Sequence, residues 1–197
     1  MLVDLDADDD EAAIEALPEA EQALARAKLL PTTRRDFVAG RTALHLALDG
    51  FGVDRRTAIV ANHRNAPAMP AGFTGSVSHK QGTAIAIVAP AGAGWVGVDL
   101  EHAAPSKQDI ARRILTAAER TALPADPRAV TLRFAIKEAI YKAVDPIVLR
   151  YVGFTEVELD VGELYATVTT GLPASIEATW REHRGHWIAT ARARRPP

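Results

Sequence analysis

Residues 81 to 98 of this 197-residue chain, QGTAIAIVAPAGAGWVGV, carry no charge at all. An apolar stretch of nearly that length could cross a bilayer as a helix. Here Pro90, Gly92 and Gly94 break it in the middle, and each flank is only strand-length. The stretch therefore reads as two buried strands joined by a tight turn, with no membrane span. Paired with each other, AIAIVA and WVGVDLE make an antiparallel hairpin.

Composition narrows the class further. Apolar residues make up 48% and charged residues 24%, the balance of an ordinary globular protein. A net charge of −2 supplies no basic field for nucleic acid or an anionic membrane. There are no cysteines, which excludes a disulfide framework, a thiolate metal site and a cysteine nucleophile, and fits a cytoplasmic protein. The start, MLVDLDADDDE, has no basic n-region or apolar h-region and is no signal peptide. Of 23 basic residues only five are lysines, so the close pair Lys137 and Lys142 invites a chemical explanation.

Along the chain, an acidic leader from Asp4 to Glu15 reads as solvated and partly frayed. Pro18 opens a helix whose apolar stripe would be Leu17, Leu24, Leu29 and Leu30. Pro31 and the two threonines after it start a second, running to about Leu48, with Phe37, Gly40, Leu44 and Leu48 on one face and Arg34, Arg41 and His45 on a neighbouring one. A loop with one short strand, TAIV, leads to a turn-rich segment and then SVSH. Beyond the hairpin, Asp109 looks placed to box-cap a helix bearing Ile110, Ile114, Leu115 and Ala118. A longer helix runs from about Arg128 to Ala143, halted by Asp145-Pro146. The remainder alternates in four short runs that read as an antiparallel sheet.

The sharpest chemical constellation joins Asp99 and Glu101, on one face of a strand end, to Glu138 and Lys142, four apart on a helix. If strand end and helix meet, three carboxylates converge beside one ammonium. A hard divalent cation relieves their repulsion, and Mg²⁺ prefers few protein oxygens completed by water and substrate phosphate. A solvated Glu–Lys pair beside a strand ending in exposed acids is the plainer alternative. Ser76, Ser78, His79 and Lys80 would suit a phosphate, or form a hydroxyl-capped turn. No G-x-S-x-G elbow makes them a hydrolase nucleophile. Arg34, Arg35 and Arg41, with Arg64, could clamp an anion or merely face water. His183 and His186, near a strand start, are further metal-type residues.

GSVSH, GVDLE and FAIKEAIYKAV, in this order and separation, resemble the three signature blocks of the 4′-phosphopantetheinyl transferase superfamily. Length and flanks (RRDFVAGRTA, NAPAMPAGFTG, DIARRILTAAE) are similar to the surfactin- and enterobactin-synthetase-activating type. The likeness covers about residues 30 to 160, departing where Phe134 replaces a frequent tryptophan and where Lys80 follows the histidine. It implies an α+β fold of two similar halves about a pseudo-two-fold axis, residues 1–97 and 98–197. Coenzyme A would lie in the cleft between the halves, and the chain would act as a monomer.

By the same resemblance Asp99, Glu101 and Glu138 would hold Mg²⁺, or Mn²⁺, against the coenzyme A pyrophosphate. Lys142, with Lys137, would neutralise that pyrophosphate. Ser78, His79, Arg34 or Arg35, and Arg41 would grip the 3′-phosphate and adenosine end. Glu138 would take the proton from a serine of an apo acyl or peptidyl carrier protein of fatty-acid, polyketide, siderophore or peptide synthesis. Carrier docking is expected around Leu115 to Arg120. Two alternatives stay open: a Mg²⁺-dependent hydrolase of a coenzyme A-like pyrophosphate, and a non-catalytic coenzyme A or carrier-binding module.

Overall fold

The computed structural model describes residues 1–5, 10–106 and 109–196, and divides the chain into two compact units, Met1–Gly92 and Ala93–Pro197. The division falls ahead of the expected one at residue 97 because a strand wholly of the second sheet begins at Trp95. Each unit is α+β, a long helix packed on an antiparallel sheet.

In the first unit, β1 (Leu2–Asp4), β2 (Phe73–Lys80) and β3 (Thr83–Pro90) form a sheet of order β1-β3-β2. Helix α3 (Pro31–Asp49) covers it, burying Ala39, Ala43, Leu44 and Leu48 against Ala84 and Ala86. Gly40 faces Val77, where a Cβ would stand 3.3 Å from that side chain, so α3 lies close on β2. Two short helices, α1 (Asp10–Glu15) and α2 (Glu19–Arg26), complete the unit.

The acidic leader is thus not frayed where it is described. β1 pairs with β3, and Ile14 on α1 is buried with Leu17, Ala25 and Val38. Residues 6–9 of the leader lie outside the described residues. Of the expected leucine stripe only Leu17 is buried; Leu24, Leu29 and Leu30 are exposed, and the buried positions on α2 are Glu21 and Ala25. A glutamate occupies the place where an apolar residue was sought.

In the second unit, β4 (Trp95–His102), β5 (Val157–Val161), β6 (Tyr165–Thr170), β7 (Ser175–His183) and β8 (His186–Arg194) form a five-stranded antiparallel sheet of order β4-β8-β7-β6-β5. The four terminal runs are therefore the sheet expected of them, but β3 and β4 are no hairpin. Each pairs within its own unit, β3 with β1 and β2, and β4 with β8. The turn between them, ending at Gly94 with φ +100°, sends the chain into a different sheet. Helix α6 (Ala129–Val148) covers this second sheet, burying Ile136, Ala139, Ile140 and Ala143. It runs past Asp145-Pro146 and stops at Leu149, which takes the left-handed conformation. Proline in the last turn costs one hydrogen bond, not the helix.

The helix expected after Ser106 is two short pieces, α4 (Ala111–Ile114) and α5 (Ala117–Thr121). The capping box belongs to Thr116 and Glu119 instead of Asp109, whose carboxylate accepts from Ala111 N at 3.3 Å.

The TAIV strand is absent, and a buried hydrogen bond stands in its place. Ile59 donates its N–H to the Glu21 carboxylate at 2.5 Å, and Glu21 also meets His45 Nε2 at 2.9 Å. The second unit repeats the device. Glu119 on α5 is fully buried, accepts from Lys137 on α6 at 2.6 Å and from the strand amide of Leu159 at 3.3 Å. In both units a glutamate from a short helix ties the long helix to the segment that follows it.

Candidate active site

The second unit builds its reactive group from β4 and α6. At Gly97 a Cβ would stand 1.9 Å from Ala139 O, so the β4 backbone lies directly on the helix. Only glycine permits that approach. Two residues on, Asp99 emerges buried beside Glu138 and Lys142, the residues that precede Ala139 and Ala143.

Lys142 Nζ donates to Asp99 Oδ1 at 2.7 Å and to Val98 O at 2.9 Å. Burial holds the Glu138 carboxyl above its ordinary range; the Asp99 carboxylate adds to this, Lys142 opposes it and Glu101 adds a smaller push. Asp99 and Lys142 thus meet directly, and Asp99, Lys142 and Glu101 all act electrostatically on Glu138.

Among the described residues no three His, Asp or Glu side chains stand as a closed ligand set for a metal ion. What the unit offers is hard carboxylate oxygens, with Glu138 raised by burial first and by the neighbouring carboxylates second, relieved only in part by one ammonium. That donor chemistry fits a Mg²⁺ ion that keeps most of its shell as water and phosphate oxygen. His183 and His186 are cross-strand partners at the sheet's end, with the His186 ring against His102 at 4.8 Å, and they too form no such set.

Lys137 does not join this group. It is 2% exposed, and its ammonium donates to Glu119, Ile114 O and Phe154 O. Five residues ahead of Lys142, it projects from a different side of α6, so the two lysines have separate tasks. Beside Glu138 opens a cavity of about 250 Å³ walled by Tyr141, Tyr151, Val152 and Phe154, with Arg113 at its edge.

In the first unit the anion-gripping candidates divide between surfaces. Ser76 and Ser78 are buried on one face of β2, while Val77 and His79 project from the other, toward α3. His79 Nδ1 lies 3.5 Å from Asp36 Oδ2, and the other Asp36 oxygen accepts from Gly82 N at 2.8 Å. Asp36 was not foreseen; its place in RRDF beside the arginines was the available signal.

Arg35 lies along the same β2–β3 turn, its side chain against Gly82. Arg34 is directed elsewhere and donates to Lys28 O at 3.1 Å. Arg41 is 7% exposed, its guanidinium stacked over the Phe37 ring at 4.8 Å, one turn before the His45 that meets Glu21. Burial pulls the Arg41 pKa down and Glu21 pulls it back. Arg34 and Arg41, seven apart on α3, thus meet Lys28 O and the Phe37 ring respectively.

Two family models match the chain: the 4′-phosphopantetheinyl transferase N-terminal domain over residues 19–89, and the 4′-phosphopantetheinyl transferase superfamily over residues 95–191. The chain is 34% identical over 68% of its length to 4′-phosphopantetheinyl transferase Npt of Nocardia iowensis, and 30% identical over 73% to 4′-phosphopantetheinyl transferase PptT of Mycobacterium tuberculosis. The matches cover 61% and 64% of those proteins, so the chain spans less than two thirds of the relatives' length. Among solved structures, a Bacillus anthracis holo-(acyl-carrier-protein) synthase in complex with CoA (3′,5′-ADP) matches at a TM-score of 0.44 and 23% identity, over 53% of this chain and 97% of that one. Among the described residues no helix is long and apolar enough to cross a membrane. The chain belongs to the 4′-phosphopantetheinyl transferase superfamily.

Proposed function

We propose that this protein transfers 4′-phosphopantetheine from coenzyme A to a serine hydroxyl of an apo carrier protein and releases adenosine 3′,5′-bisphosphate. The observation that carries the reading is Glu138, a carboxyl held above its ordinary pKa by burial and by Asp99, next to an ammonium. A raised carboxyl is a stronger base when ionised, as proton removal from a serine requires. Asp99, Glu101 and Glu138 are the residues that would hold Mg²⁺. Bound there, the ion would offset charge on the pyrophosphate as the leaving group departs.

The serine oxygen attacks the β-phosphorus, its proton passes to a Glu138 oxygen, and the bond from that phosphorus to the bridging oxygen breaks. Lys142, already aimed at this centre by Val98 O and Asp99, faces the departing phosphate. The cavity beside Glu138 suits the pantetheine arm, whose body is largely apolar with two amides. Within the first unit Arg35 and His79 are the basic side chains suited to a phosphate, with Asp36 beside the imidazole at 3.5 Å.

Intact mass spectrometry of an apo carrier protein incubated with the chain, coenzyme A and Mg²⁺ tests the reading. The expected result is a gain of one phosphopantetheine, lost on chelation. Cleavage of coenzyme A with no gain on the carrier would replace transfer by hydrolysis, and coenzyme A binding without either reaction would leave a binding module.

A further inference from the structure

We infer a transition-metal site at one end of the second sheet, held by three imidazoles that stand in a row: His102 on β4, His186 on β8 and His183 on β7. The register pairs His102 with His186 and His186 with His183. Residues paired across strands project from one face, so half of the chain's six histidines share a single edge. That face is the one away from α6, because the next pair inward, Glu101 and Trp187, alternates to the side that the helix covers.

The backbone fixes the row. Arg184 and Gly185 form a two-residue turn with φ of +49° and +73°, the left-handed pair that a type I′ hairpin requires. Ala103 N donates to Gly185 O at 2.8 Å, which ties the end of β4 to that turn. Cross-strand Cβ atoms lie about 4.5–5.5 Å apart in such pairs. Neighbouring imidazoles can then reach one ion at metal–nitrogen bonds of about 2.0–2.1 Å.

Two of the rings are already arranged. His186 meets His102 at 4.8 Å between ring centres, with the planes tilted by 34°. His186 Nδ1 lies 3.0 Å from Arg184 O. A carbonyl only accepts, so in the neutral ring Nδ1 carries the proton and Nε2 keeps its lone pair. A backbone carbonyl on the second nitrogen is the usual support of a metal-bound histidine. Among the described residues no three side chains already surround a point. His183 is exposed at the end of the row and completes the set by turning its ring when the ion arrives.

The row also selects the ion. The next residues on this face are Leu100, Ile188 and Arg181, and none carries a carboxylate. Mg²⁺ and Ca²⁺ require oxygen ligands, whereas Zn²⁺, Ni²⁺ and Cu²⁺ take imidazole. The site is separate from Asp99 and Glu101, on the opposite face of β4. The assignment concerns binding alone and stands whether or not the chain is a transferase.

Zn²⁺ is the probe, added to the full-length ¹³C-labelled protein in excess Mg²⁺, which keeps oxygen-rich sites filled. The ring C–H cross-peaks of His102, His183 and His186 should move together and saturate, while that of His45, buried against Glu21, stays in place. His186→Ala should weaken binding by about a hundredfold or more and His183→Ala by at least about tenfold, because each further ligand closes in an intramolecular step.

His183→Ala changes an exposed side chain and keeps the test decisive if the His186 variant does not fold. The assignment is overturned if Zn²⁺ moves none of the three or only His102, beside Glu101. It is equally overturned if Mg²⁺ alone moves all three, or if a folded His186→Ala or His183→Ala binds Zn²⁺ undiminished.

Discussion

Glu138 carries two burdens with opposite signs, and one substitution separates them. Burial and Asp99 raise its carboxyl in the folded state, whereas in the unfolded chain it ionises at about 4.3. The fold therefore binds the proton more tightly, and ionisation costs stability as pH rises through the folded-state value. Below the unfolded value that cost is absent. Glu138→Gln should raise the Tm at pH 7 by a few degrees at most and leave it unchanged near pH 3, while transfer falls by about 10² to 10⁴. Thermal melts at the two pH values with the carrier assay check both halves; a drop in Tm at pH 7 would contradict the repulsion argument. Mg²⁺ should stabilise the parent at pH 7 and lose that effect in Glu138→Gln or Asp99→Asn, measured by the same melts.

Asp99, Glu101, Glu138 and Lys142 were legible in the sequence because each pair follows a local period, two on a strand and four on a helix. Asp36 and Glu21 were not, and of Glu119 only its capping box with Thr116 follows a local rule. The other partners lie 18 to 46 residues away, and no local rule connects positions so far apart.

At the scale of elements, the two helix–strand contacts rest on glycines with different tolerance. Gly97 brings β4 against the backbone of α6, and alanine there would put a Cβ 1.9 Å from Ala139 O. Neither partner is a flexible side chain, so the strand must retreat and carry Asp99 away from Glu138. Gly97→Ala should cost about 1–3 kcal/mol or more and most of the transfer activity. Gly40→Ala meets Val77 Cγ2 at 3.3 Å and His79 Cδ2 at an ordinary 3.8 Å, inside a helix where alanine gains about 1 kcal/mol over glycine. The two effects roughly offset, and stability should change little. Urea denaturation of both variants decides the contrast, and equal losses would refute it.

The two long helices and the terminal strands were legible at this scale from periodicity and turn residues. The pairing of β3 and β4 was not, because adjacency in sequence favours a hairpin and only the packing of α6 recruits β4 to the other sheet.

At the scale of the molecule, the two units share one structural device whose strength can be measured separately in each. Glu21 bonds His45 and the Ile59 amide, and Glu119 bonds Lys137 and the Leu159 amide. Each carboxylate is fully buried, so removing its charge strands a buried donor and a buried basic group. Lys137 is buried in this framework, donating to Glu119 and to the carbonyls of Ile114 and Phe154. Lys137→Met should therefore destabilise the protein by about 3–5 kcal/mol, while the fraction still folded at low temperature keeps its KM for coenzyme A.

Glu119→Gln should raise amide exchange in α5, α6 and β5, and Glu21→Gln should raise it in α2, α3 and residues 57–60. The partners of each glutamate all lie in its own unit, which is why the two exchange patterns should not overlap. Hydrogen exchange read by mass spectrometry distinguishes this from a diffuse loss of stability. An unchanged α6 in Glu119→Gln would show that Lys137 is held by the carbonyls of Ile114 and Phe154, and that the repeated glutamate is incidental.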